Sequence, residues 1–310
     1  MGLKEGAPLQ SQNEIVKSCG YSLSTVIKTL KDLEHEGIIE RKVGLGSFLK
    51  KEVWKNNHLR VGFFYNRNTV PKGVLNSSFY GSMMMELEKK LIESGDELIF
   101  GSFSHDNLHI DLWNQLDAVV LTGILKDTKF DFSKITSPLF LMDSEGNNRF
   151  GDSFSLDFST AFKDMSSTIK ETGLKKVLYI DSVHKTIQQE SRKRMFEEKI
   201  VASNPKLKIK YCSGDVEDGI DSIDDLLKQV KDFQPQVVCG YIHLSWIEHI
   251  EKKSKGVKVF PVDSNSSSKR AFYIDMNTWV SELIDKIKIR ISDRSLSNKK
   301  YFHKVKFLCQ

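Results

Sequence analysis

The chain has 310 residues, 39% hydrophobic and 28% charged, with a formal net charge of +5. This is an ordinary soluble globular composition, with room for one small and one large domain, and a charge so mild permits a nucleic-acid partner without demanding one. No run of eighteen apolar residues and no apolar leader occurs, so a cytoplasmic chain with no membrane partner is expected. The cysteines, Cys19, Cys212, Cys239 and Cys309, form no C-x-x-C pair; reduced thiols and no metal knuckle are expected.

Residues 9–49 read as helix, tight turn, helix, strand, glycine turn, strand. Ser11 and Glu14 have the spacing of a capping box. Ile15 and Val16 give this helix a short apolar edge, and Cys19-Gly20-Tyr21 breaks it. Ser22 or Ser24 caps a second helix. In it Val26, Leu30 and Leu33 recur at i, i+4 and i+7, so one face packs inward. Gly37 sits where a left-handed cap is needed. Ile38-Ile39 starts a strand, Gly44-Leu45-Gly46 turns it, and Ser47-Phe48-Leu49 returns. That order is a winged helix-turn-helix, whose second helix fits the major groove while the hairpin lies along the phosphates. Through Lys51 eight basic residues nearly balance six acidic ones, so only placement argues for DNA. Arg41, Lys42, Lys50 and Lys51 flank the hairpin.

The stretch resembles the GntR family, whose pattern runs L-P-S-x-x-E-L, G-V-S-R-x-T-V-x-x-A-L-x-x-L, G-x-I and G-x-G-x-[FY]-V. The matches include Leu9, Ser11, Glu14, Gly20, Ser22, Thr25, Val26, Leu30, Leu33, Gly37, Ile39, Gly44, Gly46 and Phe48. The Gln10–Ile15 stretch is also similar to versions common in Bacteroidetes-type bacteria. The resemblance implies double-stranded DNA as partner, met by Ser11, Asn13, Ser22, Ser24, Thr25, Lys28, Arg41, Lys42, Gly44 and Gly46. Two departures stand out. The family's first helix has no counterpart before Leu9, and is expected to be missing or to lie upstream of a misassigned start. Asn13, Leu23 and Ile27 stand where the family often carries arginines. Guanine reading through those positions is therefore not expected. Asn13 can address adenine or a phosphate, and Ser24, Thr25 and Lys28 can reach the backbone. Domain 1–50 is the expected DNA-binding head, and the polar, aperiodic 51–58 a linker in which Trp54 packs.

From Leu59 strands and helices alternate. Strands are expected at 59–65, 97–100, 117–121, 138–142, 176–180, 208–211, 236–239 and 257–260, and a final one over 301–308. Helices are expected at 79–94, 109–115, 158–171, 187–202, 220–231, 244–253 and 278–291. Repeated strand-helix-strand units predict α/β architecture with parallel sheets covered on both faces. Two sets, roughly 60–158 and 159–275, imply two doubly wound lobes with a cleft at the carboxyl ends of their strands.

Region 59–310 resembles the LacI-type sensor, related to periplasmic sugar-binding proteins. The marks are the helix after Ser78-Phe79-Tyr80-Gly81, the D-A-V-V-L at 117–121, Pro138 before a strand, Arg192-x-x-x-Phe196, and Asp263 after a strand. The resemblance implies a small-molecule, sugar-like effector in the cleft. Arg192 would fork onto hydroxyls, Asp263 would accept from them, and Tyr65, Asn66 and Phe79 would line the first lobe. Tyr241-Ile242-His243 replaces the family's Asn-Asp pair after the V-V-C strand. A ligand at Tyr241 other than a monosaccharide, or none, stays open. Lys193 and Arg194 leave a solvated charge run open for Arg192, as core packing is for Phe79.

The resulting expectation is a GntR/LacI-type hybrid regulator, working as a homodimer, with the 79–94 helix one candidate dimer surface. The alternative is a protein-interaction or degenerate sensor module that no longer reads DNA. An enzyme is not expected: no convincing acid–base pair and no nucleophile setting is present. No cofactor or metal is expected either. His105 and His109 lack the intervening carboxylate of a zinc motif. The loop at 215–219 has its glycine misplaced for calcium and reads better as a helix cap.

Overall fold

The computed structural model describes residues 3–50, 58–69, 73–74, 77–124, 131–143, 150–182, 186–214 and 223–310. The chain divides into two compact units, Met1–His58 and Leu59–Gln310. The expected linker and Trp54 lie outside the described residues apart from His58, and so does the expected cap and start of the 220–231 helix.

In the first unit Ser11 caps α1 (Gln12–Cys19). Its hydroxyl accepts from the Glu14 N–H while the Glu14 carboxylate accepts from the Ser11 N–H at 2.8 Å. Gly20, at φ 72°, ends the helix in a conformation that disfavours a Cβ. Ser22, not Ser24, caps α2 (Leu23–His35). Val26 and Leu30 of α2 are buried with Ile39 and Leu49 of the hairpin, edged by Leu9, Ile15, Val16, Leu33 and Ile38. Burying such a side chain contributes about 1.5–3 kcal/mol, so this core is thin. Strand β1 (Ile39–Lys42) pairs antiparallel with β2 (Gly46–Leu49). The lead-in at Gly6–Leu9, which carries no strand pattern, also pairs with β2: Gly6 N–H donates to Leu49 O and Leu9 N–H to Ser47 O, each at 2.8 Å.

The second unit has two six-stranded sheets. The first lobe holds β3 (Arg60–Asn66), α3 (Ser78–Glu93), β4 (Glu97–Phe103), the short α4 (Ile110–Trp113), β5 (Ala118–Thr122), β6 (Leu139–Met142) and β7 (Asp152–Asp157). The second holds α5 (Ser159–Thr172), β8 (Lys176–Ser182), α6 (Ile187–Phe196), β9 (Lys208–Gly214), α7 (Ile223–Phe233), β10 (Val237–Gly240), α8 (Leu244–Lys253), β11 (Lys258–Asp263) and β12 (Arg270–Tyr273). Then α9 (Met276–Ser292) returns to the first lobe, where Asn277 donates to Glu86 and Lys288 meets Asp96. Strand β13 (Lys300–Lys304) joins the first sheet and β14 (Lys306–Cys309) the second, giving the orders β13-β7-β6-β5-β3-β4 and β14-β12-β11-β10-β8-β9. All pairings are parallel except β12 with β14. The apolar strands Ala118–Thr122 and Leu139–Met142 are buried throughout, as a sheet covered on both faces requires.

Four elements correct the sequence reading. Strands 152–157 and 270–273 carry Ser, Asp and Arg among their apolar residues, and β12 directly follows a serine-rich stretch. The single strand expected over 301–308 is two strands in different sheets, divided at buried Val305, whose N–H donates to Asp157 O. The helix expected over 187–202 is α-helical only to Phe196 and closes with a π-helical turn, Glu197–Val201. Arg290 fixes the return of the chain: its guanidinium grips both Asp152 oxygens and donates to Leu296 O and Ser297 O. Among the described residues no helix is long and apolar enough to cross a membrane.

Candidate functional site

Two places bring the expected site residues together. On the head, α2 turns Val26 and Leu30 inward and leaves Ser22, Ser24, Thr25 and Lys28 in solvent. Ser22 Oγ lies 2.8 Å from both Ser24 Oγ and Thr25 Oγ1, so a short chain of hydroxyls marks the helix start. Asn13 is exposed, and Ser11 is held in its capping box. Both border a groove whose other wall is the hairpin from Arg41 to Ser47. Gly44 (φ 74°) and Gly46 (φ 112°) form the tip, where Val43 and Leu45 are largely exposed. Lys42 lies 5.5 Å over the Phe48 ring and 3.5 Å from Glu40. Glu14 and Glu34 also line the groove, so its charge is mixed. Leu23 is nearly half exposed there and offers an apolar contact to whatever the groove receives.

The second place lies between the lobes of the second unit. Its lining includes Thr69, Phe79, Tyr80 and Asp143 from the first lobe, and Thr186, Gln188, Gln189, Arg192, Tyr241 and Val262 from the second. Nearly all of them follow the carboxyl end of a parallel strand, where such sheets gather ligands. Arg192 is buried and is no part of a solvated run. Its Nε donates to Tyr179 Oη at 3.3 Å and its Nη2 to Asp181 at 2.7 Å. The guanidinium lies between two rings, Phe158 at 5.8 Å and Tyr241 at 5.6 Å. Burial works against its charge, but the Tyr179 and Asp181 oxygens outweigh it and hold Arg192 firmly protonated. Tyr80 Oη donates to Asp143 at 2.9 Å, both buried. Burial drives the Asp143 carboxyl up to about 7 against the Tyr80 hydrogen bond and the Arg192 charge. Burial, and next the charge on Asp143, raises the Tyr80 phenol.

The remaining polar side chains are engaged with the protein itself. Gln188 accepts from Leu156 N–H and donates to Leu156 O, at 3.0 Å each. Thr69 donates to Asn66 O, and Thr186 and Gln189 form the capping box of α6. Across the lobes, Ser77 Oγ and Tyr241 Oη stand 3.5 Å apart. The cavity left among these groups is about 30 Å³. Pockets for drug-sized ligands run to several hundred Å³, so this geometry is closed to anything larger than a few waters.

Of the expected effector residues, Phe79, Arg192 and Tyr241 reach this cavity. Tyr65, Asn66 and Asp263 do not, which corrects their placement. Tyr65 stacks on Phe100 at 5.8 Å inside the first lobe. Asn66 is buried, donating to Gly123 O and accepting from Asn68 N–H. Asp263 caps its own loop, accepting from Asn265 N–H and Ser268 Oγ, and its strand neighbour Val262 faces the cavity instead. His243, beside Tyr241, caps α8. The sequence reading missed Tyr80 and Asp143. Asp143 directly follows β6, and the rule that placed the cleft at strand carboxyl ends could have found it. Among the described residues no group of His, Cys, Asp and Glu could hold a metal ion, and His109 instead bonds Ser102 O.

No protein-family model matches the chain, and no curated protein matches it by sequence. Solved structures do match. The transcriptional regulator CelR in complex with cellobiose is 12% identical with a TM-score of 0.64, over 96% of this chain and 98% of that one. The Cra dual regulator from Pseudomonas putida, in complex with fructose 1-phosphate, is 14% identical with a TM-score of 0.62, over 80% and 97%. The lac repressor dimer bound to operator and an anti-inducer is 10% identical with a TM-score of 0.61, over 84% and 97%. At these identities the fold is what is shared: the chain has the two-lobed, periplasmic-binding-protein-like fold of LacI-type regulators.

Proposed function

We propose that the chain is a transcription regulator, and not an enzyme, whose head binds duplex DNA as a GntR-type winged helix. The body takes a small, sugar-like effector between its lobes and pairs with a second copy. One observation carries the reading. The outward face of α2, with Ser24, Thr25 and Lys28, stands free of the core beside a glycine-tipped hairpin bearing Arg41 and Lys42. A helix start rich in hydroxyls, followed by a lysine, suits the phosphates and base edges of a major groove. The cellobiose and fructose 1-phosphate held by two neighbours support a carbohydrate as effector class. An effector that opened the cleft would have to break the contacts that cross it, Gln188 with Leu156 and Ser77 with Tyr241. Its binding would thus shift the lobes between two arrangements. Selection of bound sequences from random duplex DNA with the full-length protein is the test. Recovery of a two-fold symmetric site, with affinity falling steeply in salt, is expected; salt-insensitive or absent binding sinks the reading.

A second reading has its own support. The polar groups of the cleft already bond one another around a cavity of about 30 Å³, as in a sensor that has lost its effector. Thermal shift with monosaccharides, disaccharides and sugar phosphates separates the two. A rise in melting temperature with any of them favours effector binding, and no response to all favours the degenerate sensor.

A further inference from the structure

The end of the second lobe farthest from the cleft is crowded with lysines. The cleft occupies the carboxyl ends of the strands, so the amino ends form the opposite pole. Strand register sets Lys176 beside Lys208, and Lys258 beside Val237. Backbone bonds tie Lys208 N–H to Lys175 O and Lys258 N–H to Gln236 O at the same edge. The carboxyl ends of α7 and α8 come down to this pole, and a groove there is lined by Lys228, Lys231, Lys253 and Lys255. All four are exposed, and among the described residues none has an acidic partner. Of the acids nearby, Glu248 is paired with Lys252 and Glu251 with Arg270, which leaves Glu171, Asp232 and, one turn before Lys228 on α7, Asp224 and Asp225.

Cations near the last turn of a helix are favourable for the helix itself, which accounts for Lys231 and Lys253. It does not account for Lys175, Lys208 and Lys255, which lie on strand starts and in a turn. The residue types narrow the partner. Protein–protein interfaces are depleted in lysine and carry an apolar centre, and no large hydrophobic side chain is exposed among the described residues of this pole. Single-stranded nucleic acid needs exposed aromatic platforms, and none stands here. Flexible ammonium groups along a groove suit regularly spaced phosphates, without base reading. We propose that the lysine pole of the second lobe is a sequence-independent binding surface for the phosphates of duplex DNA. It would hold the protein on DNA at sites the head does not recognise. Only the choice of duplex over another polyanion rests on the head's reading.

The test is anisotropy of a mixed-sequence duplex with the full chain between 50 and 200 mM salt, comparing wild type with K228Q/K231Q/K253Q/K255Q. Each phosphate contact contributes about 0.9 to the slope of log affinity on log salt, so four lost contacts flatten it by roughly 3 to 4. Over that range wild type should then lose about a hundredfold more affinity than the variant. The matching four-arginine variant should keep the wild-type slope, and melting temperatures should agree across all three. An unchanged slope in the glutamine variant overturns the proposal. So does lysine-dependent binding to phosphatidylserine vesicles that is tighter than binding to the duplex. Failure of the head's reading shows differently: R41Q/K42Q then leaves the slope untouched while the four-lysine variant still flattens it.

Discussion

On the head, the hydroxyls of Ser22, Ser24 and Thr25 and the amine of Lys28 are turned to solvent. In the cleft, Arg192, Gln188 and Asp143 are just as polar but already bonded to Asp181, Leu156 and Tyr80. Both sets sit on helices or just past the ends of strands. They differ in burial, and burial decides what each can do. An exposed polar group gains little from its neighbours and stays available to a partner. A buried one must be satisfied within the protein, and is released only if the incoming ligand replaces its bonds. The same change of residue should therefore harm binding on the head and stability in the cleft.

The largest expected effect is at Arg192. Truncation in R192A takes the guanidinium away from Asp181 and Tyr179 and removes the cation between the Phe158 and Tyr241 rings. Breaking a buried pair from one side costs about 3–5 kcal/mol. Urea unfolding of the full chain should show that loss in the transition of the second unit alone. A change under about 1 kcal/mol would mean that the pair is far wetter than the geometry indicates.

Next comes Asp143, whose carboxyl is raised by burial to about 7 from an ordinary value near 4. The folded state then binds more protons than the unfolded one between those two values. Stability is greatest at the acid end of that window and falls as pH rises through it. The slope contributed by this group is at most about 1.4 kcal/mol per pH unit, and it vanishes above the folded pKa. Unfolding measured from pH 4 to 8 should show the decline, and Asp143→Asn, which can still accept from Tyr80, should remove it. If the variant keeps the decline, the proton sits elsewhere.

The contrast also explains what could be read from the residues alone. The head was legible because its signals are local. Ser11 with Glu14, Gly20, and Gly44 with Gly46 each fix a cap or a turn within a few positions. The two-lobed body was legible because buried parallel strands are continuous apolar runs, as at 118–122 and 139–142. Strand β7 and the division at Val305 were not legible. Polar Asp152 is satisfied there by Arg290 and by the Lys299 N–H, both far along the chain. The cleft suffered the same way. Nothing near Asp143 announces Tyr80, 63 residues away, whereas Asp263 turns back within its own loop to Asn265 and Ser268. Long-range pairing chose which strand-end residues face inward, and a single sequence does not display such pairing.

The smallest effect on folding, and the sharpest test of the comparison, belongs to the hairpin. Lys42 is exposed, and its pair with Glu40 spans 3.5 Å in solvent, a contact of the kind that adds between nothing and about 1 kcal/mol. Removing both hairpin cations in R41Q/K42Q should leave head stability within about 0.5 kcal/mol of wild type. On DNA the same substitutions should flatten the salt dependence by nearly 2, since each lost phosphate contact accounts for about 0.9. Guanidine unfolding and anisotropy on one preparation give both numbers. A variant that loses stability and binds DNA as before would reverse the argument. The Lys42 contact with the Phe48 ring would then be part of how the hairpin folds, and the outward face of the head would have to be sought on α2 alone.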